Sequence, residues 1–115
     1  METFEKSEMS TLVSCTNMLQ KEGYNENFVA QEKGLEAPST KKTYLPSQVK
    51  INNFYRFEGE SDPADSSILY AIETNDGVKG MLIDAYGAYA NPKVSKFITE
   101  VEEITKKEHI YKKSN

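Results

Sequence analysis

Two apolar runs, residues 67–74 and 78–85, stand on either side of Asn75-Asp76-Gly77. An Asp-Gly pair supplies the positive φ angles that a tight turn between antiparallel strands demands, so the two runs are predicted to form a β-hairpin. Upstream, beyond Pro46, Val49, Ile51, Tyr55 and Phe57 alternate with Lys50, Asn52, Phe54, Arg56 and Glu58. That period of two is the mark of a strand with one face on a core. Asn53 interrupts the apolar face, either as a bulge or as a polar contact beneath a covering element. Residues 27–31, built around Phe28 and Val29, read as one further short strand. The sum is a mainly antiparallel sheet of three to four strands.

Helical periodicity flanks this sheet in sequence. Over residues 9–22, Met9, Leu12, Thr16 and Leu19 form one stripe with Val13 and Cys15 beside it, and Gly23 ends the helix. A second helix is predicted to start at Asn91-Pro92, where an N-cap side chain precedes a ring whose φ suits the first helical position. Its stripe is Val94, Phe97, Ile98, Val101 and Ile104. The pairs Lys96/Glu100, Glu102/Lys106 and Glu103/Lys107 lie four residues apart and add ~0.3 kcal/mol each on the exposed side. The order helix, strands, helix predicts an α+β two-layer sandwich with the N-terminal and C-terminal helices on one face of the sheet. Residues 32–43, with Gly34, Pro38 and the run Ser39-Thr40-Lys41-Lys42, read as a mobile loop. Residues 1–8 read as a disordered leader with Met9 as an alternative start, 9–107 as a single α+β domain, and 108–115 as a frayed basic tail in which His109 is solvated.

The chain of 115 residues suits one domain with a single core. Its 37% hydrophobic content, with seven Tyr and five Phe, is enough for that core, and 28% charged residues argue against wholesale disorder. Net charge is −4 with basic residues spread among acids, so the footprint of a nucleic-acid binder is missing. The single Cys15 has no partner for an internal disulfide and no nearby His, which predicts buried packing in a reducing compartment. Leu12-Val13-Ser14-Cys15 spells a lipoprotein cleavage box, but Glu2, Glu5, Lys6 and Glu8 occupy the place of the apolar run that a signal peptide requires. No stretch approaches the roughly 18 apolar residues of a membrane span. The expectation is a cytoplasmic protein with no nucleic-acid or membrane partner, a monomer or weak homo-oligomer.

Two places hold side chains with chemical potential. Glu58, Glu60, Asp62 and Asp65 offer oxygen ligands to a hard cation, yet Pro63-Ala64 stands where a calcium loop needs donors, so Asp62 and Asp65 are weak metal candidates in a turn-rich acidic loop. The second place is the junction between the hairpin and the last helix. There Asp84 continues an apolar strand beside Tyr86 and Tyr89, and a cross-strand ion pair with Arg56 is the leading structural reading. Arg56, Glu58, Asp84, Tyr86 and Tyr89 are therefore the candidate ligand surface. No catalytic constellation is legible, and no cofactor is implied by the residues themselves.

The segments Tyr55-Arg56-Phe57-Glu58-Gly59, Asp62-Pro63 with Asp65-Ser66-Ser67, Tyr70-Ala71-Ile72 and Asp84-Ala85-Tyr86-Gly87-Ala88-Tyr89-Ala90 resemble a family of short bacterial proteins that carry the label phosphoribosylpyrophosphate synthetase. The resemblance spans roughly residues 12–98. It implies a phosphoribosyl- or nucleotide-related enzyme in which Asp84 serves a magnesium and sugar-phosphate site. Full-length synthetases follow their strand with two acids and a Gly-Gly-Thr type turn; here Met81-Leu82-Ile83-Asp84 supplies the strand and one acid, and Ala85-Tyr86-Gly87-Ala88 supplies neither of the other parts. Three readings follow. The first is a small binding or regulatory module with an unknown small molecule or protein as partner, the second is the enzyme just described, and the third is a domain that self-associates through an edge strand or uncovered sheet face.

Overall fold

A computed structural model describes residues 12–57, 67–85 and 90–114, with side chains to Lys107. The fold is α+β. Its elements are α1 (Leu12–Lys21), β1 (Glu26–Asn27), β2 (Val29–Gln31), β3 (Gly34–Ala37), β4 (Lys42–Tyr44), a 3-10 turn (Pro46–Gln48), β5 (Val49–Phe57), β6 (Ser67–Thr74), β7 (Lys79–Ala85) and α2 (Pro92–Ser114). A four-stranded sheet runs β1-β7-β6-β5, and a three-stranded sheet runs β2-β3-β4. All pairings are antiparallel except β1 on β7.

The hairpin β6–β7 is present as the sequence predicts, but its turn is built differently. Thr74 N–H donates to Val78 O (2.8 Å) and Gly77 N–H to Thr74 O (3.1 Å), which encloses the three residues 75–77. Only Gly77, at φ 93°, has the left-handed conformation there, as in a three-residue loop that ends in a glycine. The Thr74 hydroxyl adds a clasp by accepting Val78 N–H at 2.9 Å.

The interruption in β5 is a bulge, and it has a larger consequence than a kink. Ile51 pairs with Ile72 and Asn53 with Ala71, so Asn52 is the extra residue. One added residue reverses which face every later side chain takes. Val49 and Ile51 accordingly pack with Ile72, Leu82, Val94, Phe97, Ile98 and Val101, whereas Tyr55 and Phe57 pack with Cys15, Leu19, Leu69, Ala71 and Met81. The four apolar residues of β5, expected to share one face, are split between two. The helices are split with them. α2 and the small sheet lie on one face of the four-stranded sheet and α1 on the other, in place of the expected arrangement with both helices on one side.

Residues 32–43 are also more ordered than a loop. Leu35 and Ala37 are fully buried and alternate with half-buried Glu36, placing β3 between β2 and β4 in the small sheet. The predicted strand 27–31 is divided at Phe28. Its first part pairs with β7, its second with β3, and Phe28 N–H still reaches Met81 O at 2.9 Å. Gly80 makes this crossing possible, since a Cβ there would fall on Glu26 O and within 2.8 Å of the Phe28 ring.

Both helix ends follow the local rules. At the end of α1, Tyr24 N–H donates to Leu19 O (2.9 Å) and Gly23 N–H to Gln20 O (3.1 Å), a Schellman pattern with Gly23 at φ 100° and Tyr24 tucked into the α1 cluster. At the start of α2, the Asn91 side chain accepts Lys93 N–H at 2.9 Å. The helix runs to Ser114, past Glu108, where the sequence places the start of a tail. On α1 the buried positions are Cys15 and Leu19, while Val13 is 70% exposed and lies off the packed stripe.

Candidate functional site

The register of the four-stranded sheet decides how the candidate residues meet. Arg56 pairs with Ile68, and Ile68 pairs with Asp84. The two charged residues thus sit in one row on the α2 face with β6 between them, roughly 10 Å apart across two strand spacings. They are not on neighbouring strands, as the cross-strand pairing supposed. The Asp84 carboxylate is occupied locally: it accepts Ala85 N–H at 2.8 Å and Asn91 N–H at 3.1 Å. This ties the end of β7 to the residue that caps α2. Glu58, Asp62, Asp65, Tyr86 and Tyr89 lie outside the described residues.

One row further along the same face is a feature that the sequence pattern does not flag. Phe54 pairs with Tyr70, their ring centroids are 6.5 Å apart, and Phe54 remains 55% exposed. It owes that position to the bulge, which turns Phe54 toward the α2 face. Beside it, Ile51, Phe54, Val101, Glu102, Thr105 and Lys106 line a groove of about 330 Å³ between β5 and α2. A larger cleft of about 530 Å³ lies between the β2–β3 turn and the first turns of α2. Lys33, Lys93 and Lys96 share its walls with Glu32 and Glu100, above Pro46 and Phe97.

Among the described residues, the most strongly perturbed group is elsewhere, at the tip of the hairpin. Asp76 accepts from Lys42 Nζ (2.6 Å), from the Tyr44 hydroxyl (3.1 Å) and from the Thr74 hydroxyl. The hydrogen bond from Lys42, followed by that from Thr74, holds the carboxyl well below its ordinary range. The same bond raises the Lys42 ammonium above its ordinary value. This hub fastens β4 of the small sheet to the turn of the large one. Sequence offers only the Asp-Gly turn signal for Asp76 and nothing for Lys42 or Tyr44, because the contacts join residues 32 and 34 positions apart.

A second polar group lies on the opposite face, where α1 ends. Lys79 Nζ donates to Glu22 O at 3.0 Å and stands 4.4 Å from the Tyr24 ring centre. Asn52, the bulge residue, donates to the Tyr24 hydroxyl (2.9 Å) and to Glu73 (3.2 Å). Each member has a structural partner. Cys15 is fully buried, and burial pushes its thiol up, away from the ionised form that a nucleophile needs. Among the described residues, no group of three His, Cys, Asp or Glu side chains is placed to hold a metal ion, and no helix is long and apolar enough to cross a membrane.

No protein-family model matches this sequence, and comparison with curated proteins and with solved structures finds no significant match.

Proposed function

We propose that this chain is a small binding module of the cytoplasm. Its partner surface is the α2-side shelf formed by Phe54 and Tyr70, with Arg56 and Asp84 in the next row. The observation that carries the reading is the exposed Phe54. A large aromatic ring left in water beside a second ring and an apolar groove is the usual composition of a contact surface, in which the apolar part supplies affinity and the rim supplies orientation. The chemistry fits a partner that presents an apolar or aromatic group to the shelf.

The enzyme reading, with Asp84 holding a magnesium-bound sugar phosphate, has less support, since backbone amides already take up the Asp84 carboxylate. The self-association reading has a similar weakness. β5 is an edge strand, but it carries the bulge, and Phe54 N–H donates to its neighbour Asn53 Oδ1 at 2.9 Å. Both features make a poor template for a further strand.

Amide chemical shifts recorded against nucleotides, sugar phosphates, magnesium and small aromatic fragments test the proposal. Perturbations are expected to centre on Phe54, Tyr70 and Arg56, and to vanish in Phe54→Ser while the melting temperature falls by no more than about 5 °C, because losing a solvent-exposed cross-strand aromatic pair costs ~0.2 to 1 kcal/mol. Perturbations confined to Asp84 and requiring magnesium would favour the enzyme reading instead.

A further inference from the structure

Asp76-Gly77 is a dipeptide with reactivity of its own. The Gly77 backbone nitrogen can attack the Asp76 side-chain carboxyl carbon. An N–C bond forms, the C–OH bond breaks, and the amide proton leaves with the hydroxyl as water. The product is a five-membered cyclic imide. Hydrolysis returns the water at either carbonyl, giving aspartate again or isoaspartate, in which the main chain runs through the side-chain carbon at unchanged mass. Gly77 carries no side chain, so it offers little steric obstruction to the attack.

In the folded turn each reacting group is held elsewhere. Lys42, Tyr44 and Thr74 draw the carboxylate toward β4 and β6. The nitrogen that would attack has its proton engaged with Thr74 O at 3.1 Å. We propose that this hydrogen-bonded cage makes Asp76-Gly77 a latent isomerisation site, closed in the native turn and opened when the cage is lost. The ionised carboxylate favoured by Lys42 supports the same conclusion, for it lacks the hydroxyl that must leave as water. Reaction in the folded protein then requires a local opening of the turn, and its rate follows the open population. Once formed, isoaspartate would lengthen the turn by one backbone atom and shift the carboxyl away from its three donors, so the cage would not reassemble around the product.

The experiment follows isoaspartate at position 76 by peptide mapping during prolonged incubation at mildly acidic pH and physiological temperature. It compares the folded protein with a synthetic peptide of residues 70–82, and with the Lys42→Gln and Thr74→Val variants. The folded protein is expected to accumulate isoaspartate at least about tenfold more slowly than the peptide, and the variants to move toward the peptide rate while their circular dichroism remains native. Lys42 has its side chain 55% exposed, so its variant keeps the test valid should Thr74→Val fail to fold. A folded protein that reacts as fast as the peptide would overturn the proposal. So would a folded Lys42→Gln as slow as the parent.

Discussion

The two faces of the four-stranded sheet are covered by different means. On one face α2 and the small sheet enclose a core that runs from Phe28 and Tyr44 through Ile72 and Leu82 to Phe97 and Val101. On the other, the ten residues of α1 cover Leu69, Ala71 and Met81 with Cys15 and Leu19 as the buried anchors. The first face is a shared core to which several elements contribute. Among the described residues, the second is covered by one short helix, which Gly23, Tyr24 and the Lys79 contact hold at its end. One residue, Asn52, makes the arrangement possible by sending the first half of β5 to one core and the second half to the other.

That contrast predicts a ranking. Phe97→Ala opens a cavity in the larger core and is expected to lower stability by ~3 to 5 kcal/mol, read as a shift in the denaturation midpoint. Leu19→Ala is expected to lose ~2 to 4 kcal/mol, with hydrogen exchange rising first in α1 while α2 stays protected. Equal loss of protection in both helices would show that the two faces are one cooperative unit. Gly80→Ala, which forces a methyl group against Glu26 and Phe28, is expected to destabilise by ~1 to 3 kcal/mol and to free β1 from β7.

The smallest effect is electrostatic and depends on pH. Asp76 titrates below its ordinary value of 3.8 when folded, so its contribution is fully present above that value and is lost as pH falls through the region below it. The midpoint difference between the parent and Asp76→Asn should therefore be present at neutral pH and close in acid. A difference that persists unchanged at the lowest pH at which the chain stays folded would assign the effect to turn geometry rather than to charge.

Local signals in the sequence translated well into structure. The hairpin, the Asn91-Pro92 start of α2, the Gly23 stop of α1 and the stripe Val94, Phe97, Ile98 and Val101 all follow from spacing and capping chemistry. What was hidden is what non-local pairing decides. Leu35-Glu36-Ala37 alternates correctly but is too short to stand out beside Gly34 and Pro38, so β3 was not legible. Asn53 drew attention to a fault in β5, yet alternation alone gives no sign that Asn52 is the extra residue, and the reversal of Tyr55 and Phe57 follows only from that register. The candidate site suffered similarly. Arg56 and Asp84 do share a row, but with a strand between them, and the exposed Phe54 that carries the proposed surface reads in sequence as one more aromatic in a strand.

The bulge at Asn52 divides β5 between two cores with a helix on each. Nuclear Overhauser contacts from the side chains of β5 test this division most directly. Tyr55 and Phe57 are expected to show contacts to Leu19 and Met18 of α1, and Val49 and Ile51 to the side chains of α2 and the small sheet, with no residue of β5 reporting on both. Contacts from Tyr55 and Ile51 to the same helix would show instead that β5 keeps one face on one core along its whole length.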